Sequence, residues 1–382
     1  MNLCVVTSSY PANPNDVAAP YAADFCRAIV RRGHKVVVVA PERPGIEVDP
    51  AGVPVFWVPS RQSGKALVST NLLSPFQLWR TLQLMGDWES LLRRTVREQS
   101  IDVCLALWAV PGGYLAWRLR AAAGVPYAVW TLGSDINTYA RYPLMRSLIR
   151  RILRGARWRF ADGIELAART KIVGGLGCEF LPTSRAMTPS GEVLDLPGRV
   201  RFLFIGRLER VKGIDVLLSA MARLKDIEGI HLYVRGDGSL EAAVASQIRS
   251  EGLEAMVTMI PRGPASHLAA YMRVCDCLVI PSRKESIPVV FSEAIQVGIP
   301  MLVTDTGDMG TLAREHGLMD PVPAEDADAL AGAMRAFADD SAEFERRFSA
   351  ARPELLRMFD PETVVDRFLS AVGEVSQTRE AE

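Results

Sequence analysis

The chain has 382 residues, 49% hydrophobic and 23% charged, which is too long for one ordinary core and too apolar for a disordered or fibrous protein. Lys+Arg and Asp+Glu both number 44, so the formal net charge is zero and no whole-molecule basic field for nucleic acid exists. Six cysteines without a C-x-x-C pair and four scattered histidines argue against a disulfide framework or a His-rich metal site. The chain starts directly on an apolar strand, without the charged start and cleavage site of a signal peptide, and no apolar run reaches the ~18 residues of a spanning helix. The expectation is a cytoplasmic protein, with peripheral association at the inner face of a membrane left open.

Short β-branched runs alternate with longer amphipathic stretches, the signature of βα units around a parallel sheet. Predicted strands in the first half are Leu3–Thr7, Lys35–Ala40, Val53–Val58, Asp102–Leu107 and Tyr127–Thr131, with helices near Val17–Arg32, Pro75–Glu98 and Gly113–Ala123. The segment Pro182–Gly198, rich in Pro and Gly, reads as an interdomain linker. A second series follows, with strands at Arg201–Ile205, Ile230–Arg235, Val257–Ile260, Cys277–Ile280 and Met301–Thr304. Its helices fall near Ile214–Leu224, Leu240–Gly252, Ala265–Val274 and Ser292–Val297. The predicted domains are 1–185 and 199–358.

Such a scaffold serves many chemistries, so function has to come from particular side chains. After the strand ending at Ile280 the chain reads Pro-Ser-Arg-Lys-Glu-Ser-Ile-Pro-Val-Val-Phe-Ser-Glu-Ala, then Gly298-Ile299-Pro300. This is where a parallel sheet places its ligand crevice. Glu285 lies on the loop and Glu293 eight positions later on the following helix, and each carboxylate can accept from vicinal hydroxyls of a ribose or hexose. Glu293 sits among Val290, Phe291, Ala294 and Ile295, where an unpaired carboxylate is costly. Exposed amides of Ser286 and Ile287 at a helix N-terminus would suit an anion. A second segment, Gly206-Arg207-Leu208-Glu209-Arg210-Val211-Lys212-Gly213, puts Arg207 and Lys212 between a strand and a helix, a cradle for a diphosphate. Gly236 and Asp237 form the turn after the next strand, and Arg262 follows the one after that.

Together these segments resemble the Glu-x7-Glu signature of retaining glycosyltransferase family 4, with Ser286 and Ile287 standing where the family carries Gly and an aromatic residue. The resemblance implies the GT-B fold, α/β with two Rossmann-like domains facing each other across a cleft. It implies that Glu285 contacts the transferred sugar, that Glu293 binds the donor ribose, and that Arg207 and Lys212 neutralise the leaving diphosphate. Ser286, Ile287, Gly206, Gly236, Asp237 and Arg262 would line the donor pocket. No metal or other cofactor is expected at the diphosphate. In the first half, Trp108 and Asp135 match the family's acceptor-side loops, but Leu132 replaces a histidine that relatives carry there.

The expected partners are therefore a nucleotide-sugar donor and an acceptor whose class stays open, a lipid-linked one among them. An epimerase or phosphorylase on the same scaffold, or a non-catalytic nucleotide-binding module, are the alternatives; Thr7 to Pro20 contains no glycine, which disfavours a dinucleotide fingerprint. Two further expectations concern elements. Val364, Val365, Phe368, Leu369 and Val372 recur at helical spacing, and in the family the final helix (about 361–375) packs back on the first domain. Between Ile136 and Ala161 there are seven arginines and no acid. Read as a helix, residues 141–160 are either a surface for an anionic membrane or a solvated face over an apolar core stripe.

Overall fold

The computed structural model describes every residue except 14, 15, 17, 48–51, 60–74, 188–193, 262–264 and 380–382. It divides into two units, unit 1 comprising Met1–Thr183 with Pro361–Glu382 and unit 2 comprising Ser184–Asp360.

In unit 1 the valine-rich runs form parallel strands because both faces of each are covered by helices, which rewards continuous apolar sequence. The elements are β1 (Asn2–Val6), α1 (Pro20–Arg31), β2 (Lys35–Pro41), β3 (Val55–Val58), α2 (Pro75–Glu98), β4 (Val103–Leu107), α3 (Tyr114–Ala123), β5 (Tyr127–Thr131), α4 (Ser134–Asn137), α5 (Pro143–Gly155), β6 (Trp158–Ala161), α6 (Ile164–Gly174) and β7 (Glu179–Phe180). A tight turn, Trp108–Gly113, links β4 to α3. The seven strands lie in the order β3-β2-β1-β4-β5-β6-β7. One face buries Val129 of β5 with Trp88 and Leu92 of α2 and Ile149, Ile152 and Leu153 of α5.

Side chains alternate across a strand, so Trp130 and Phe160, paired in register between β5 and β6, point to the other face. There they meet α1 and the last helix, α14 (Pro361–Arg379, numbered after the helices of unit 2). Phe25 stands 5.1 Å from Trp130 and 5.2 Å from Phe368, and Phe160 stands 5.7 Å from Phe368. Val364, Val365, Phe368 and Val372 are all buried, and Arg32 of the α1 C-terminus binds both Glu362 and Asp366.

The stretch read as one basic helix from Ile136 to Ala161 is divided. Ile136 and Asn137 end α4, Tyr139–Arg141 form a short 3-10 turn, Pro143–Gly155 is α5, and Trp158–Ala161 is a strand paired to β5. Gly155 and the extended Ala156 end the helix, and strand pairing outweighs the helical periodicity of so short a run. Arg159 is consumed in this junction, donating to the carbonyls of Leu153, Ala156 and Gly177.

Unit 2 consists of β8 (Val200–Ile205), α7 (Ile214–Ala222), β9 (Ile230–Arg235), α8 (Glu241–Ser250), β10 (Val257–Ile260), α9 (Ala265–Val274), β11 (Cys277–Ile280), α10 (Val289–Val297), β12 (Met301–Val303), α11 (Gly307–Glu315), α12 (Ala327–Asp339) and α13 (Ser341–Phe359). Its five parallel strands run in the order β10-β9-β8-β11-β12. Phe202 packs on Phe337 at 5.7 Å, which brings α12 onto the sheet, and Phe291 of α10 packs on Phe359 at 5.6 Å, which brings α13 against α10. Both sheets reverse their winding direction beside the first strand, at β1/β4 and at β8/β11. In open parallel sheets that reversal opens a crevice at the carboxyl ends of the strands.

Candidate active site

The reversal in unit 2 puts the loop 206–213 after β8 beside the loop 281–288 after β11, and β9 and β12 add their own turns on either side. Glycine lets these loops touch backbone to backbone. A Cβ at Gly236 would lie 1.8 Å from the carbonyl oxygen of Gly206, one at Gly213 1.9 Å from that of Pro281, and one at Gly307 2.0 Å from that of Glu285. Gly213 and Gly307 also sit at φ +71° and +52°, conformations that side chains rarely adopt. Hydrogen bonds complete the lattice: Leu208 N donates to Asp237 O at 2.6 Å, Arg283 N to Val211 O at 2.8 Å, and Thr304 Oγ1 to Ser282 O at 2.6 Å.

On this frame Lys212 Nζ donates to Glu285 Oε1, with both side chains about four-fifths buried (20% and 19% exposed). The two residues are 73 positions apart in sequence, and the loop contact at Gly213 and Pro281 is what brings them together. Arg207 is 64% exposed and pairs with Glu209 at 2.6 Å. An exposed pair of this kind is worth about 0–1 kcal/mol, so an incoming anion displaces it at small cost. Arg283 is structural. It bridges Asp215 at 2.7 and 2.8 Å, Glu325 at 2.6 Å and the carbonyl of Arg210, which holds the basic turn against the Glu285 loop. Its guanidinium holds the Asp215 carboxyl below the ordinary range, outweighing burial.

Glu293 falls inside α10 and is only 4% exposed. One partner is Arg185, Nη1 to Oε1 3.3 Å, a residue of the predicted linker that the sequence reading passed over. The signal that could have found it is the cost of burying Glu293, which demands a cation, but nothing local says which one.

Ser286 and Ile287 differ from expectation. α10 begins at Val289 behind Pro288, so both precede the helix. The Ile287 side chain is buried, and Ser286 Oγ donates to Asp308 Oδ2 at 3.4 Å. Proline at 288 sets the boundary because it disfavours helical backbone in the residue before it. Gly206, Gly236 and Asp237 are half-buried in the turns described above. Arg262 lies outside the described residues.

In unit 1, Asp135 and Trp108 are brought together with Ala109 at the ends of β4 and β5. Asp135 is fully buried. Its Oδ2 accepts from Ala109 N at 2.9 Å, and burial pushes the carboxyl up to about 6 against that opposing bond. The carboxylate thus holds the Trp108–Gly113 turn, in which Trp108 adopts a left-handed φ of 63°. Asp16, in the first loop, accepts from Ala12 N, Ala18 N and Arg43, which turns its charge to the protein. Burial would raise this carboxyl, but those bonds outweigh it and lower it. Among the described residues no three His, Cys, Asp or Glu side chains gather as a metal site, and no helix is long and apolar enough to cross a membrane.

Two parallel-sheet units, each with a crevice at its reversal point, define the class to which solved GT-B glycosyltransferases belong. Residues 193–354 match the family model "Glycosyl transferases group 1" and residues 18–163 match "Glycosyl transferase 4-like domain", so the domain content is that of a glycosyltransferase. The glycogen synthase of Mycobacterium tuberculosis is 29% identical over 168 residues, 44% of this chain and 41% of that protein, so the chain matches less than half the length of this curated relative. The sucrose-phosphate synthase of Thermosynechococcus elongatus superposes with a TM-score of 0.80 at 17% identity, covering 100% of both chains. Anabaena HepE, solved in complex with UDP, gives 0.74 at 15% identity over 98% of this chain and 100% of that one.

Proposed function

We propose that the chain transfers a sugar, with retention of anomeric configuration, from a nucleoside-diphosphate-sugar to an acceptor hydroxyl. The observation that carries this reading is the meeting of Lys212 and Glu285 at the β8/β11 reversal, with Arg207 on the same turn and Glu293 on the helix that follows. The bond from the anomeric carbon to the diphosphate oxygen breaks, a bond to the acceptor oxygen forms, and the acceptor hydroxyl gives up its proton. Negative charge grows on the departing diphosphate and positive charge on the sugar ring. Lys212 and Arg207 would stabilise the first, and Glu285 lies where it would face the second. Glu293 would accept from the ribose hydroxyls. Gly206, Gly236, Asp237, Ser286 and Ile287 would form the donor pocket, and the diphosphate needs no metal beyond these cations. UDP in Anabaena HepE supports a nucleoside diphosphate as the donor's leaving group.

We take the acceptor to be lipid-linked and met at an anionic membrane surface through α5, with Trp108 and the turn held by Asp135 on the acceptor side. Arg146, Arg150 and Arg151 on α5 are exposed beside Leu144, which is 87% exposed, and Tyr142, 61% exposed. Guanidinium groups flanking an exposed apolar edge suit a headgroup boundary.

A hydrolysis and transfer screen over UDP-, GDP- and ADP-sugars tests the first reading, with the product anomer assigned by NMR. Lys212→Ala and Glu293→Gln should each lower turnover by roughly 100-fold or more with an unchanged melting temperature. Turnover near that of the unsubstituted protein in either variant, or an inverted product, overturns the assignment.

A further inference from the structure

α10 carries Glu293 and Gln296 one turn apart, and both grip the same piece of chain. Gln296 Nε2 donates to the carbonyl of Arg185 at 2.7 Å, and Gln296 Oε1 accepts from Met187 N at 3.2 Å. The Ser184 hydroxyl donates to the carbonyl of Phe359 at the end of α13. Segment 184–187 is thereby laid along α10, and the Arg185 guanidinium is delivered to Glu293 at 3.3 Å, with side-chain exposures of 20% and 5%. A second guanidinium, Arg235 at the end of β9, senses both groups. Burial lowers it from its ordinary value, the Tyr271 ring beside it (6.0 Å from guanidinium to ring centre) opposes that, Arg185 adds to the lowering and Glu293 resists it.

A carboxylate has about four acceptor positions on its two oxygens, so the Arg185 contact to Oε1 is compatible with accepting from a vicinal diol. It also removes the rotamer freedom that a ligand would otherwise have to freeze out, and it sets which way the carboxylate faces.

We infer that Arg185 is a donor-positioning residue, which holds the Glu293 carboxylate in the orientation that receives the ribose hydroxyls and ties segment 184–187 to occupancy of that site. The inference rests on the nucleotide-sugar reading above. Its consequence is specific to the ribose: Arg185 matters only to a ligand that has hydroxyls to offer Glu293.

The test is calorimetric titration with UDP, GDP and ADP, followed by the 2′,3′-dideoxy counterpart of whichever binds tightest. Arg185→Ala should weaken the ribonucleotide by about tenfold or more, as expected for loss of a preorganised charged hydrogen-bond acceptor. It should leave the dideoxynucleotide within about twofold of the unsubstituted protein, which is roughly the scatter between independent sites. Arg185→Lys should recover most of the loss, and donor KM should rise with kcat little changed. Should Arg185→Ala melt early, Arg185→Gln carries the same comparison. Equal losses on both nucleotides, or no loss on either, overturn the positioning role while the donor reading stands. An unsubstituted protein that binds none of the three nucleoside diphosphates overturns both.

Discussion

Asp135 is a fully buried carboxyl whose cost depends on pH. Burial raises it from an ordinary 3.8 to about 6, so between those values the folded chain holds a proton that the unfolded chain has released. Stability therefore falls as pH rises through that window and levels off above it, by about 3 kcal/mol for a shift of about two units. Asp135→Asn keeps an oxygen for the amide of Ala109 and removes the titration. The difference in melting temperature between variant and unsubstituted protein should therefore grow from near zero at pH 4 in the variant's favour toward pH 7. Carboxyls lowered by their partners, such as Asp16 and Glu362, push stability the other way, but they are common to both proteins and cancel in the difference. A pH-independent difference would show that the carboxyl titrates normally.

At the scale of elements, the site depends on loops touching where no side chain fits. Gly307 begins α11 with its Cα against the backbone of Glu285, where a Cβ would stand 2.0 Å from the carbonyl oxygen. Gly307→Ala must push the Glu285 loop away and pull it from Lys212. The expected result is a loss of turnover of at least about tenfold, with a stability cost of about 1–3 kcal/mol from strain and overpacking. Full turnover in Gly307→Ala would show that this contact does not set the position of Glu285. The strands, most helices and the final amphipathic segment were legible in the sequence because apolar periodicity reports burial directly. Strands Trp158–Ala161 and Glu179–Phe180 were not, since runs of four and two residues carry no period of their own. Arg185 was missed for a related reason: a residue in a Pro- and Gly-bearing stretch reads as linker until the helix that it crosses is known.

At the scale of the whole molecule, charge is balanced overall and uneven locally. Among the described residues, eight of the nine exposed large hydrophobic side chains belong to unit 1. Two of them, Tyr142 and Leu144, adjoin the exposed arginines of α5. Each basic group near an anionic surface contributes about 1 kcal/mol, so replacing Arg146, Arg150 and Arg151 together with Gln should weaken binding to anionic vesicles by about 100-fold. Co-sedimentation at low and high salt measures this, and the binding should fade as salt is raised. Equally poor sedimentation with neutral and anionic vesicles would leave the arginines as a solvated helix face and remove the ground for a lipid acceptor.

The amino-acid sequence by itself determined that there are two series of βα units and which carboxylates and cations lie at strand ends. These are local matters, decided by periodicity, by proline and glycine, and by the cost of burying charge. Only the tertiary structure decided which strand ends become neighbours. The order β10-β9-β8-β11-β12 puts Lys212 against Glu285 across 73 residues, and the bonds from Gln296 lay Arg185 over α10 beside Glu293. Sequence pattern records how each strand is buried but not which strand lies next to it. Strand order follows from the packing of all the helices at once, and with it the pairing of charges that makes the site.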